Sequence, residues 1–205
     1  MKKNWTPNDM PNLKGQVIII TGANSGLGLA SAKALAQNGA EVILACRSEE
    51  RGAAALKEVE AVQTTPARLM LLDLGSLESV QAFAENFKAN YKQLDVLLNN
   101  AGIMATPYGT TVDGFEQQIG VNHLGHFALT GYLLPILLGT SGSRIVNVSS
   151  LAARKGQIDI ASFRAPGNYQ PWKAYGQSKL ANLMFTLELN RRLPEGQTIA
   201  VAAHP

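Results

Sequence analysis

Short apolar runs alternate with helix-period segments along almost the whole chain, and that alternation leaves few folds open. Gln16-Val17-Ile18-Ile19-Ile20-Thr21 is apolar at consecutive positions, not at every other one, which suits a strand covered on both faces. From Gly26 to about Asn38 the spacing of Leu27, Ala30, Ala34 and Leu35 is helical, and Gly39 is a natural stop. Residues 41–46 read as a second strand, and Ser48 as the cap of a helix running to about Gln63. Residues 68–72 form a third strand, and Ser76 opens a helix with Val80, Phe83 and Phe87 on one face. Residues 95–98 are a fourth strand. A long helical region follows over 111–138, broken near Gly120 or Gly131. Residues 144–148 are a fifth strand, 152–171 a loop with short turns, 172–193 a helix ended by Pro194, and 198–203 a sixth strand. Strand followed by helix throughout predicts an α/β, doubly wound parallel sheet with helices on both faces and right-handed crossovers. With no repeat, low-complexity tract or linker, residues 1–205 are expected to be one domain. The chain ends at His204-Pro205, directly after an apolar strand that would lie at an exposed edge. Proteins usually cover such an edge, so a further carboxyl-terminal segment is expected.

Ligands of such sheets bind beyond the carboxyl ends of the strands, at the point where strand order reverses. The first such end carries Thr21-Gly22-Ala23-Asn24-Ser25-Gly26-Leu27-Gly28. Glycines there let backbone approach a pyrophosphate, and the helix that follows turns its free N–H groups and positive dipole end toward it. The spacing Gly-x-x-x-Gly-x-Gly differs from the common Gly-x-Gly-x-x-Gly, but it sits in the required strand–turn–helix context. A tight turn without ligand is the alternative. At the second strand's end, Cys46-Arg47-Ser48 stands where an acidic residue would bind a ribose 2′-hydroxyl. Arg47 suits a 2′-phosphate instead, which favours NADP(H) over NAD(H); a solvated arginine at a strand end is the alternative.

Tyr175 and Lys179 lie four residues apart, on one face of a helix. A phenol alone is too weak an acid to give up its proton freely at neutral pH, and a cation held close by favours its ionised form. A ketone that accepts hydride needs such a proton for its oxygen. Taken alone, the pair could equally be exposed helix residues.

Bulk properties narrow the partners. The net charge of +3 comes from scattered residues, without the Lys/Arg block that binds nucleic acid or lipid surfaces. Cys46 is the single cysteine, so no internal disulfide forms. His123 and His126 lie three apart without a third ligand, which argues against a metal site. No apolar signal segment is seen, and no stretch approaches the length and apolarity of a membrane span. A cytoplasmic protein is expected.

Taken together, Thr21-Gly22-x3-Gly26-x-Gly28, Asp73-Leu74, Asn99-Asn100-Ala101-Gly102, Asn122, Ser149-Ser150 and Tyr175-x3-Lys179 resemble the short-chain dehydrogenase/reductase family, from about Leu13 to Pro205. Leu44-Ala45-Cys46-Arg47, the run from Val121 to Phe127 and the run from Tyr175 to Asn182 are similar to its retinol dehydrogenase and protochlorophyllide reductase-like branch. The resemblance implies a three-layer Rossmann fold, strand order 3-2-1-4-5-6, with the family's final strand missing. It implies NADP(H) held by Gly22, Asn24, Ser25, Gly26, Leu27, Gly28 and Arg47. Asp73, with Leu74 beside it, would contact the adenine. Asn99, Ala101 and Gly102 would line the adenosine side and support the sheet. Read alone, Asp73 is as readily a helix-entry residue, and the Asn99–Gly102 tetrapeptide a turn. Asn122 would hold a water in a proton relay; alone, it reads as a kink or surface residue. Ser150 would bond the carbonyl oxygen, its choice over Ser149 resting on the family motif. Tyr175 would give and take the proton, and Lys179 would also bind the nicotinamide ribose. The implied activity is hydride transfer between a small-molecule carbonyl and an alcohol, in a chain that pairs as a homodimer or homotetramer through helices 111–138 and 172–193. The competing function is a non-catalytic NADP(H) sensor or scaffold. The stretch between Ser150 and Tyr175 is longer than the family's usual spacing and reads either as substrate wall or as surface excursion.

Overall fold

A computed structural model describes residues 6–164 and 167–205. Six strands form one parallel sheet in the order β3-β2-β1-β4-β5-β6. The strands are β1 (Val17–Thr21), β2 (Glu41–Cys46), β3 (Arg68–Leu71), β4 (Val96–Asn99), β5 (Arg144–Val148) and β6 (Ile199–Ala203). β1 pairs with β2 on one side and β4 on the other. Strand order reverses between β1 and β4, which places the switch point beyond Thr21 and Asn99.

The helices are α1 (Gly26–Gln37), α2 (Glu49–Glu60), α3 (Leu77–Asn90), α4 (Gln117–Ile119), α5 (Gly125–Leu138) and α6 (Pro171–Arg192). Ser48 and Ser76 cap α2 and α3, each oxygen accepting a backbone N–H from the first turn. β1 is buried along its whole length, so its apolar residues serve two cores. Ile18 and Ile20 pack with Val42, Leu44, Ala36 and Val59 on one face. Ile19 packs with Phe83, Phe87, Leu129, Leu133 and Leu189 on the other. A strand with one wet face would alternate; this one has no wet face.

Two expectations change. The helix expected from 111 begins at Gln117. Residues before it fold into a turn closed by an antiparallel bridge between Thr110 and Glu116. The Glu116 carboxylate then accepts the N–H groups of Gln118 and Ile119 at 2.8 and 2.9 Å. An internal cap thus starts the helix later than periodicity suggests. Its break falls at Gly120–Leu124, a π turn, whereas Gly131 lies inside α5. By length and composition Gln117–Leu138, mean hydropathy 1.2, is long and apolar enough to cross a membrane, against the expectation that no stretch comes near. Asn122, His123 and His126 interrupt its apolar run. In this fold the segment lies on the sheet, with Leu129, Leu133 and Leu137 fully buried.

β6 is an edge strand. Ala200 faces the α3–α5–α6 core, while Ile199 and Val201 on its other face are exposed. Among the described residues, 151–170 hold two 3-10 turns, Leu151–Lys155 and Ile160–Phe163, as the aperiodic sequence suggests.

Candidate active site

Two clefts open beyond the carboxyl ends of the central strands. The first, about 390 Å³, is lined by Gly22, Asn24, Ser25, Leu27 and Gly28 from the glycine turn. Arg47 and Arg51 stand at the β2 end, Asp73 and Leu74 follow β3, and Asn100, Ala101 and Gly102 follow β4. Gly26 begins α1 itself. Gly22 has φ +66°, a backbone state that L side chains rarely adopt. Gly28 is required for a different reason: a Cβ there would run into the Gly22 carbonyl and lie 2.7 Å from the Asn100 amide nitrogen. The Ser25 side chain does not cap α1, which leaves the helix's first N–H groups open toward the cleft. One wall is therefore bare backbone donors, and one end carries two guanidinium groups.

The second cleft, about 320 Å³, is lined by Ser150, Tyr175, Lys179, Val148 and Met104. It shares Leu27, Asn100, Gly102 and Ile103 with the first. Tyr175 and Lys179 are on one face of α6, and Lys179 Nζ lies over the Tyr175 ring at 5.7 Å from its centroid. That amine is buried, donates to the Val148 carbonyl at 3.0 Å, and has its pKa pushed down to about 8 by burial. It remains mostly a cation at neutral pH. The Ser150 hydroxyl accepts the Ala152 N–H at 3.2 Å and faces the cleft with Tyr175. Ser149 also lines this cleft, but its hydroxyl donates to the Lys179 carbonyl at 2.9 Å. The two serine hydroxyls thus have different partners.

Asn122 sits in the π turn, fully buried. Its Oδ1 accepts the Ile103 N–H at 2.8 Å, and its Nδ2 donates to the Ile103 carbonyl and to Ser178 Oγ at 2.9 and 3.0 Å. This amide holds the post-β4 turn against α6, one residue from Lys179. Asn122 Oδ1 and Lys179 Nζ lie 3.2 and 3.4 Å from where a Cβ on Gly102 would be, which is why that position is bare.

Asn99 requires a correction. Expected to line the adenosine side and to support the sheet, it lines neither cleft. It is buried under the sheet's α5–α6 face, donating to Thr130 and to Asn147, its register partner on β5. Asn100 takes the place in the cleft, its amide donating to the Thr21 carbonyl at 2.8 Å. A one-residue step at a strand end exchanges the face a side chain points to. Sequence reading also missed Arg51, although its place four residues after Arg47 was a signal. It missed the part played by His126, for which the sequence carries no signal.

The fit to a nicotinamide dinucleotide rests on the donor set: bare backbone for the pyrophosphate, guanidinium groups at one end and a buried amine at the other. A doubly wound sheet carrying such a cradle at its switch point belongs with the dinucleotide-binding folds as a class. Residues 16–204 match the short chain dehydrogenase family. Human retinol dehydrogenase 11 is 48% identical over 194 residues, covering 94% of this chain and 61% of that protein. An uncharacterized protein from Mycobacterium paratuberculosis superposes with a TM-score of 0.86 at 48% identity, covering 98% of this chain and 72% of that one. A Shigella flexneri short chain dehydrogenase complexed with NADP gives 0.75 at 26% identity, with 94% and 78% covered. A Burkholderia phymatum relative in complex with NAD gives 0.77 at 26% identity, with 96% and 67% covered. The chain belongs to the short-chain dehydrogenase family, in its retinol dehydrogenase-like branch. It spans about three fifths of the length of the human relative, 61%.

Proposed function

We propose that this chain is the catalytic core of an NADP(H)-dependent oxidoreductase that interconverts a carbonyl and an alcohol. The observation that carries this reading is the continuity of the two clefts. A dinucleotide laid along the glycine turn would reach, past Gly102 and Ile103, to Tyr175 and Lys179. When bound, that group supplies or accepts the hydride. In the reducing direction the Tyr175 hydroxyl passes its proton to the carbonyl oxygen as it becomes an alkoxide. The charge of Lys179 over the ring favours the phenolate that remains. Ser150 donates a hydrogen bond to the same substrate oxygen, stabilising charge as it develops. Asn122 holds the Ile103 backbone and Ser178 in place, which keeps Lys179 opposite the cofactor turn.

Arg47 and Arg51 support NADP(H) over NAD(H), since two guanidinium groups at the β2 end suit a 2′-phosphate. The name of the human relative points to retinol, an apolar primary alcohol. An apolar rim accords with such a substrate: Met104 lines the cleft, Leu151 follows Ser150 and is exposed, and exposed Trp172 packs edge-on to Tyr175 with ring centroids 5.9 Å apart. Phe127, Tyr132, Met184 and Leu187 on α5 and α6 are exposed, which supports pairing of two chains through these helices; sedimentation equilibrium reads that directly.

Tyr175→Phe is the test. Loss of the proton donor should lower kcat for NADPH-driven carbonyl reduction by about 100-fold or more while NADPH still binds. Near-normal turnover would end the reading. Tight NADPH binding with no turnover by the unsubstituted protein, across a panel of carbonyl compounds, would favour a sensor.

A further inference from the structure

His126 is buried at 2% exposure and lines neither cleft, yet its ring lies between the cofactor turn and the Asn122 backbone. Its Nδ1 is 3.0 Å from the Asn122 carbonyl oxygen. A carbonyl only accepts, so Nδ1 carries the ring proton. Its Nε2 is 2.8 Å from Thr21 Oγ1. In the neutral ring Nε2 is an acceptor, so the single hydroxyl proton of Thr21 points to it. That same oxygen accepts the backbone N–H groups of Asn100 and Ala101, each at 2.9 Å.

Counting settles the protonation state. The Thr21 oxygen has two lone pairs and receives two N–H donors; its one proton goes to one acceptor. A second proton on His126 would press a third donor on an oxygen with two lone pairs. The displaced hydroxyl proton would find only the Leu98 carbonyl, 3.4 Å away. Other charges act in the same sense. Burial is the main reason that the ring's pKa is held down, to about 3, with Lys179 and His123 adding smaller repulsions against the hydrogen bond to Asn122.

We infer that His126 is a positioning residue. As a neutral imidazole protonated on Nδ1, it ties Thr21 and the Asn100-Ala101 turn beneath the cofactor cleft to the backbone of Asn122. The cofactor's seat and the Lys179 side of the site are thereby held in one register. The positioning role rests on the oxidoreductase reading; the tautomer does not.

The two ring nitrogens can be tested separately. His126→Asn places an amide near the Nδ1 position and keeps the donation to Asn122 while losing Thr21. His126→Gln reaches the Nε2 position and keeps an acceptor for Thr21 while losing Asn122. In 15N-histidine spectra of the intact chain, His126 should show a protonated Nδ1 and a bare Nε2, unchanged from pH 7.5 to pH 5. His126→Asn should shift the Asn100 and Ala101 amide signals and weaken NADPH binding roughly fivefold or more, the scale of one lost hydrogen bond. His126→Gln should instead shift the Ile103 amide and change NADPH affinity less. An Nε2-protonated ring, a His126 that titrates near neutral pH, or two variants with the same effect on both amide sets and on affinity would overturn the inference. Should neither variant fold, the tautomer of the unsubstituted chain still decides its first half, and amide shifts in Thr21→Val the second. If Tyr175→Phe keeps full turnover, the oxidoreductase reading falls while the tautomer result stands.

Discussion

At the scale of single residues, the site depends on atoms that are absent as much as on those present. Gly28 leaves room that a methyl group would fill against the Gly22 carbonyl and Asn100. Gly28→Ala should therefore cost NADPH affinity at least tenfold and lower the thermal midpoint, read by calorimetry and fluorescence titration. His126 sets an acid limit on stability. Its folded pKa of about 3 is below the ordinary 6.5, so the unfolded chain takes up this proton first. Stability from this group is present above pH 6.5 and is lost as pH falls from there toward 3, by up to about 1.4 kcal/mol per pH unit. His123, lowered by burial, acts in the same direction. Urea titrations between pH 7 and pH 4 should show this decline, and His126→Asn should flatten it. Lys179 acts at the other end: with its pKa lowered from 10.5 to about 8, it adds stability as pH rises through that interval.

At the scale of elements, residues 151–164 and 167–174, between Ser150 and Tyr175, are anchored, not loose. Tyr169 is their hub: the hydroxyl donates to the Thr106 carbonyl at 2.9 Å and accepts from Gln118 Nε2 at 2.8 Å. Gln177 accepts the Asp159 N–H and donates to Ser162, and Arg164 donates to the Asp113 carbonyl while lying over the Phe115 ring. Most of these ties reach the 105–118 segment and the face of α6 opposite Tyr175, so the stretch braces that helix. Tyr169→Phe should cost about 1–3 kcal/mol, since it takes the donor from the Thr106 carbonyl and one of two acceptors from the Gln118 amide, and should speed amide exchange across 157–164 and 167–170. The π turn at Gly120–Leu124 has a comparable effect, since it sets where Asn122 and His126 fall relative to β1 and β4. Periodicity offered a break near Gly120 or Gly131 but not its kind, because a π turn differs from an α turn only in which carbonyl each N–H reaches.

At the scale of the molecule, one ligand would bridge elements drawn from half the sheet, so binding and stability should be linked. NADPH at 100 times its Kd should add about 2.7 kcal/mol to stability, a rise of roughly 5–10 °C in the thermal midpoint for a chain of this size. NADH at the same concentration should add less. Arg47→Asp should erase or reverse that difference; an unchanged preference for NADPH would remove the 2′-phosphate argument.

The linear chain determined most of the architecture by itself. Unbroken apolar runs such as Val17–Thr21 permit only a doubly covered strand, and their alternation with helices permits few windings of a parallel sheet. It also gave the glycine cradle and the spacing of Tyr175 and Lys179, because turn chemistry and helical repeat are local. Tertiary structure alone decided which of Asn99 and Asn100 faces the cofactor cleft, where the helix after Gly114 begins, and what His126 does. Each of these turns on a partner far along the chain: Asn147 for Asn99, the Phe163 carbonyl that accepts the Glu116 N–H, and Thr21 for His126. A side chain's type shows which bonds it can make, but only the packed fold brings the other half of each bond within reach.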